Sequence, residues 1–155
     1  MMKYEDIVMM YAASFAMAKV VAKKFGMDAA KEIIKEWGVE LVAPLFEKTR
    51  EELGFGKRTD LSVKEAQDVV IAFDKESEIT WDILEETPDM IVTKIEKCPV
   101  KDACALIGAD AAEFCGKAFL TMATKMIETL NPKLKWVGEF EPDLNKPCRY
   151  VLSYK

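Results

Sequence analysis

Apolar residues recur at helical spacing through the first half of the chain and alternate singly through much of the second. Residues 4–25 read as a first helix, with Gly26 placed to end it. Its apolar positions (Ile7, Met10, Tyr11, Phe15, Met17 and Val21 among them) go most of the way round. A helix so apolar buries more than one side, against the core or against a second subunit. Asp28 is placed to cap a second helix, with Ala30, Ile34, Trp37, Leu41 and Leu45 at helical spacing. Gly38 and Pro44 interrupt that pattern, so a bend is expected near Val42 and an end by Gly54. After a loop over residues 54–60, Ser62-Val-Lys-Glu65 spells a capping box. It opens a third helix to about Phe73, with Val63, Ala66, Val69 and Val70 inward.

The period then changes. Ile79, Trp81 and Ile83 alternate with Thr80, Asp82 and Leu84, Pro88-Asp89 makes a turn, and residues 90–97 alternate again, which is a hairpin pattern. Asp110-Ala-Ala-Glu113 resembles a second capping box and starts a helix to Leu130, where Asn131-Pro132 stops it. Residues 134–140 and 148–154 read as two further strands joined by 142–147. The order is three helices and then ββαββ. This predicts an α+β fold, a four-stranded, mostly antiparallel sheet with its helices on one face. A chain of 155 residues fits one domain, 1–155, with a helical part at 1–75 and the ββαββ part at 76–155.

Charge removes one class of partner. With a net charge of -5 and basic runs no longer than Lys23-Lys24 and Lys57-Arg58, the chain lacks the stripe that nucleic acid needs. The apolar stretch 7–18 follows Glu5 and Asp6 and ends at Lys19. It has neither the basic start of a secretory signal nor the about 20 apolar residues of a spanning helix, so no membrane partner is expected. A reducing cytoplasm is the expected location, and there the four cysteines are thiols, ligands or redox groups. The chain has no histidine, which excludes a histidine general base, a Ser-His-Asp triad and His-ligated metal within one chain.

Three of the cysteines fall within residues 96–115, and the fourth opens the last strand. The second strand ends at Cys98, the helix from Asp110 leaves that end, and the third strand returns to it. Cys98, Cys115 and Cys148 are therefore expected at one end of the sheet, with Cys104 nearby. Three readings stay open. The first is a metal site with Cys98, Cys115 and Cys148 as ligands and zinc as candidate metal, although no Cys-x-x-Cys pair is present. In the second, a thiol is nucleophile or redox group, Cys115 first, with Lys117 favouring and Glu113 opposing the thiolate. The third makes the cysteines small core residues, which the stripe Cys115, Ala118, Phe119, Met122, Met126 favours. Asp82 and Asp102 are the candidate bases. Trp81, Trp136, Tyr150 and Tyr154 read as packing on a sheet face before they read as a ligand wall.

Cys98-Pro99, Phe114-Cys115, Leu130-Asn131-Pro132-Lys133-Leu134 and Cys148-Arg149-Tyr150 together resemble the L-2-amino-thiazoline-4-carboxylate hydrolase-like family. They are also similar, more distantly, to vinyl-reductase-type small-molecule-binding domains. The resemblance covers residues 90–154. It implies hydrolysis of a non-peptide C–N bond, a thiazoline ring opened to a carbamoyl-cysteine, with Cys98, Cys115 and Cys148 at the family's cysteine positions. Similar sequences place an acid a few residues after the middle cysteine, whereas Gly116, Lys117 and Ala118 stand here. The resulting expectation is a hydrolase of small heterocyclic or amide-like substrates, with Cys115 or Cys98 as nucleophile and Asp102 as base. The alternatives are a small-molecule-binding module with a cysteine-held zinc, and a homodimerisation domain built on the first helix.

Overall fold

The computed structural model describes residues 3–141, 143 and 146–155. Helix α1 spans Tyr4–Phe25 and ends as expected, Gly26 adopting φ 93° and returning its N–H to Ala22 O. Asp28 does not cap the next helix. Gly26 occupies that position, and Asp28 lies inside the first turn, paired with Lys31 at 3.0 Å. Helix α2 (Met27–Trp37) passes into a π-helical segment, Gly38–Val42, and then into α3 (Ala43–Glu52), which puts the irregularity where Gly38 and Pro44 predicted it. Met122 occupies the space in which a Cβ on Gly38 would stand, so the glycine permits a close helix crossing.

The capping box is fully formed at α4 (Val63–Glu76). Ser62 Oγ accepts from Glu65 N at 3.2 Å, and Glu65 Oε2 accepts from Ser62 N at 2.8 Å. The helix runs past Phe73, and those added residues matter below.

Strands β1 (Thr80–Thr87) and β2 (Met90–Lys97) form the expected hairpin. A helix absent from the sequence reading follows: α5, Pro99–Leu106, with Pro99 at its first turn, a position where the missing N–H costs nothing. The next helix begins as a π-helical segment, Ala112–Phe119, and continues as α6 (Leu120–Leu130). Asp110 Oδ1 accepts from Ala112 N and Glu113 N. The reciprocal half of the expected box is replaced, because Glu113 instead pairs with Lys31 and Lys117. Strands β3 (Leu134–Glu139) and β4 (Cys148–Tyr154) complete the sheet. The connection expected at 142–147 includes Pro142, Leu144 and Asn145, which lie outside the described residues.

All three strand pairings are antiparallel and the order is β1-β2-β4-β3. The fold is α+β, with N-terminal helices ahead of the sheet. The register carries the inner face across the strands, joining Ile95 to Cys148, Thr93 to Tyr150 and Ile91 to Leu152. Helices α3, α4 and α6 cover one end through Phe46, Val69, Ile127 and Leu152. A second cluster joins α1, α2, α5 and the Ala112–Phe119 segment around Phe15, Ala30, Cys104 and Phe114. Among the described residues, no helix is long and apolar enough to cross a membrane.

Candidate functional site

The helical clusters and the sheet do not close on one another completely. Between them lies an apolar pocket walled by Phe73, Val100, Phe119 and Met122 from the helices and by Trp81, Ile95, Trp136 and Tyr150 from the sheet. Its void is about 60 Å³. An apolar cavity that takes a benzene-sized guest measures ~150 Å³, so a heterocycle enters only if the walls part.

The aromatic wall follows from the strand register. Trp136 stacks on Tyr150 at 4.7 Å between centroids, and Trp81 meets Tyr150 edge-on at 5.5 Å. Gly138, the β-partner of Tyr150, makes the stack possible, because an added Cβ would stand 2.6 Å from Tyr150 Cε1. Tyr154 takes no part in these ring contacts and is exposed.

One carboxylate faces this apolar space, and it is one that the sequence reading passed over. Asp74 lies in the last turns of α4, four residues after Val70 and eight after Ala66, on the stripe that faces the core. Trp81 Nε1–H donates to its Oδ2 at 2.8 Å. Burial drives the Asp74 carboxyl up to about 7, and the Trp81 hydrogen bond opposes that rise only in part. An acid titrating near neutrality inside an apolar pocket is equipped to accept and return a proton.

Cys98 and Cys115 border the same pocket. Cys98 sits at the N-cap of α5, where the Val100 and Lys101 amides lower the cost of a thiolate without forming a full capping bond. Burial prevails over them, and the thiol is pushed up to about 12. Cys115, within the Ala112–Phe119 segment, is pushed well above the ordinary thiol range by burial, and the nearby sulphurs of Cys98, Cys104 and Cys148 add to the rise. Lys117 does little for it, being engaged by Glu113. Cys104 is buried in the helical cluster and pushed up to about 12, again chiefly by burial. At pH 7 these three are neutral thiols.

Behind Cys98 a second, polar recess is lined by Cys98, Cys148, Lys101, Asp102, Lys97 and Lys146. Lys101 is buried and donates to Asp143 O at 2.6 Å and Lys146 O at 2.8 Å, tying α5 to the segment ahead of β4. Asp102 is exposed and accepts from the Tyr4 hydroxyl at 2.6 Å. It therefore belongs to this recess and not to the apolar pocket. Asp82 is farther removed, being exposed and paired with Lys94 at 3.5 Å.

The three cysteines expected as metal ligands do not line one common space. Cys98 borders both spaces, but Cys115 borders only the first and Cys148 only the second. Among the described residues, no three Cys, Asp or Glu side chains group so as to hold an ion. All four cysteines are free thiols.

Compared with known proteins, residues 6–139 match the family model of L-2-amino-thiazoline-4-carboxylic acid hydrolase. The matched span is wider than the resemblance at 90–154. It takes in the helical half that carries Asp74 and stops before Cys148. No curated protein matches the chain.

Proposed function

The chain belongs to the L-2-amino-thiazoline-4-carboxylic acid hydrolase family, and from that premise we propose that it opens a small heterocycle of the amino-thiazoline type by hydrolysis of a ring C–N bond in the apolar pocket. The observation that carries this reading is Asp74, an acid held near neutrality on the wall that Cys98 and Cys115 share.

Two routes compete, and magnitudes separate them. If Cys98 were the nucleophile, Asp74 would first take its proton, a transfer uphill by about 7 kcal/mol from the two titration positions. Attack by water with Asp74 as base avoids that population cost, because the thiolate need never form. Asp74 then accepts the proton of the attacking water as its oxygen bonds to the ring carbon. Asp74 passes this proton to the ring nitrogen, then takes the second proton from the added hydroxyl. It gives that proton to the same nitrogen as the C–N bond breaks and the carbonyl forms, so that the sum is addition of one water. In this scheme Cys98 and Cys115 remain neutral thiols that shape the pocket and offer weak S–H donors. Asp102 acts outside it, as partner to Tyr4.

The test is ring opening of L-2-amino-thiazoline-4-carboxylate by the wild type, by Asp74→Asn and by Cys98→Ser. Loss of turnover by at least ~100-fold in Asp74→Asn, with activity retained in Cys98→Ser, supports water attack. Loss only in the cysteine variant overturns the role given to Asp74. Binding of the thiazoline by the wild type without turnover favours the small-molecule-binding module instead, a reading supported by the predominantly apolar lining.

A further inference from the structure

Helix α1 turns Phe15 and Ala18 fully into the core, yet its opposite side is not that of a solvated helix. Met10 is 41% exposed, Met17 72% and Val20 55%, and Ala13 is exposed with them. Asp6 and Lys24, both exposed, extend this line to either end of the helix.

The spacing is specific. Positions 6, 10, 13, 17, 20 and 24 alternate steps of four and three, the a/d seam of a coiled coil, and lie within about 40° of one line along the helix. The seam is also palindromic about Phe15. Reversing the helix sets position 6 against 24, 10 against 20 and 13 against 17. An antiparallel second copy therefore meets Asp6 with Lys24, Met10 with Val20 and the small Ala13 with the long Met17, each pair occurring twice. A parallel copy would instead place Asp6 on Asp6 and Lys24 on Lys24.

From this self-complementary seam, we infer that the exposed face of α1 is a homodimer interface in which two copies of α1 pack antiparallel about a two-fold axis at Phe15. A two-fold interface uses one patch twice, and the palindrome supplies that condition in both shape and charge. Asp6 and Lys24 form no ion pair of their own within the chain among the described residues, which leaves both charges available to a partner. The seam crosses about 27 Å of helix on the side away from Phe15 and the rest of the core, so pairing requires no rearrangement of the fold.

Sedimentation equilibrium of the full chain tests this. The wild type is expected to be a concentration-dependent dimer. Met17→Glu, at an exposed site, is expected to keep the helical circular dichroism and to weaken association at least ~100-fold. Asp6→Lys and Lys24→Asp alone each set like charges together and weaken the dimer. The two single variants mixed, or the doubly exchanged chain, recover it, whereas a parallel pair gains nothing from the double exchange. A wild type monomeric at several hundred micromolar overturns the inference, as does a dimer indifferent to Met17→Glu. So does a monomer that co-sediments with phosphatidylcholine–phosphatidylserine vesicles, since the same face would then meet lipid.

Discussion

Trp81 Nε1–H reaches across from β1 to donate a 2.8 Å hydrogen bond to Asp74 Oδ2 at the end of α4. This bond fixes a carboxylate on a wall otherwise built of aromatic, aliphatic and thiol side chains. It also gives the carboxylate a donor that stabilises its charged form. Burial alone would press the acid still further toward neutrality.

Trp81→Phe removes the donor and keeps an aromatic ring. The carboxyl then rises above its present position near 7. Since a base works when deprotonated, the ascending limb of kcat/KM against pH is expected near 7 in the wild type and at higher pH in the variant. A limb that stays in place or moves to lower pH counts against the assignment.

Asp74 also links stability to pH. Its folded value is raised above the ordinary 3.8, so between about 4 and 7 the folded chain holds a proton that the unfolded chain has released. Stability from this group is therefore present at low pH and lost as pH rises through 7, on the order of 4 kcal/mol at most. Urea unfolding of Asp74→Asn from pH 4 to 8 should lack that decline relative to the wild type. Parallel curves for the two proteins contradict the burial argument.

The thiols offer a check independent of turnover. Cys104, Cys115 and Cys148 are buried and Cys98 is half-buried, and burial raises Cys98, Cys104 and Cys115 above the ordinary thiol range. Ellman's reagent at pH 7 is expected to titrate less than one thiol rapidly in the native protein and all four in denaturant. Rapid native reaction at Cys98 would restore the nucleophile reading.

Gly138→Ala places a methyl group 2.6 Å from Tyr150 Cε1 and 3.1 Å from Leu120 Cδ1. The ring cannot yield without leaving its stack on Trp136. The cost expected in urea unfolding is about 1–3 kcal/mol, the range for overpacking a core. A cost below about 0.5 kcal/mol would show that the aromatic wall is looser than its geometry.

Local signals made much of the fold legible. The Gly26 stop, the Ser62–Glu65 box and the turn at Pro88-Asp89 are each written in a few adjacent residues, and their elements stand at or near the expected positions. Helix α5 carries a single local signal, Pro99 at its first turn, in eight residues without a capping side chain. The π-helical segments contain contacts that no sequence window holds: Met122 lies against Gly38, and Phe140 packs on Gly116. A side chain at 116 itself would meet the Phe140 ring at 3.1 Å.

The site was harder to read for the same reason. Asp74 lay one residue beyond the expected end of its helix, and its burial depends on Trp81 across a turn. The signal was nevertheless present, because Ala66, Val70 and Asp74 are spaced by four and share a face. A charged residue on an inward stripe is the sequence feature that points to Asp74, and the cysteine spacings do not contain it.

The ionisation of Asp74 itself is the most direct measurement. Carboxyl-carbon NMR of aspartate-labelled protein, with Asp74→Asn to assign the resonance, is expected to give a midpoint near 7. A midpoint near 4, the ordinary aspartate value, would mean that the pocket holds no acid poised for proton transfer, and the hydrolytic scheme built on Asp74 would fall with it.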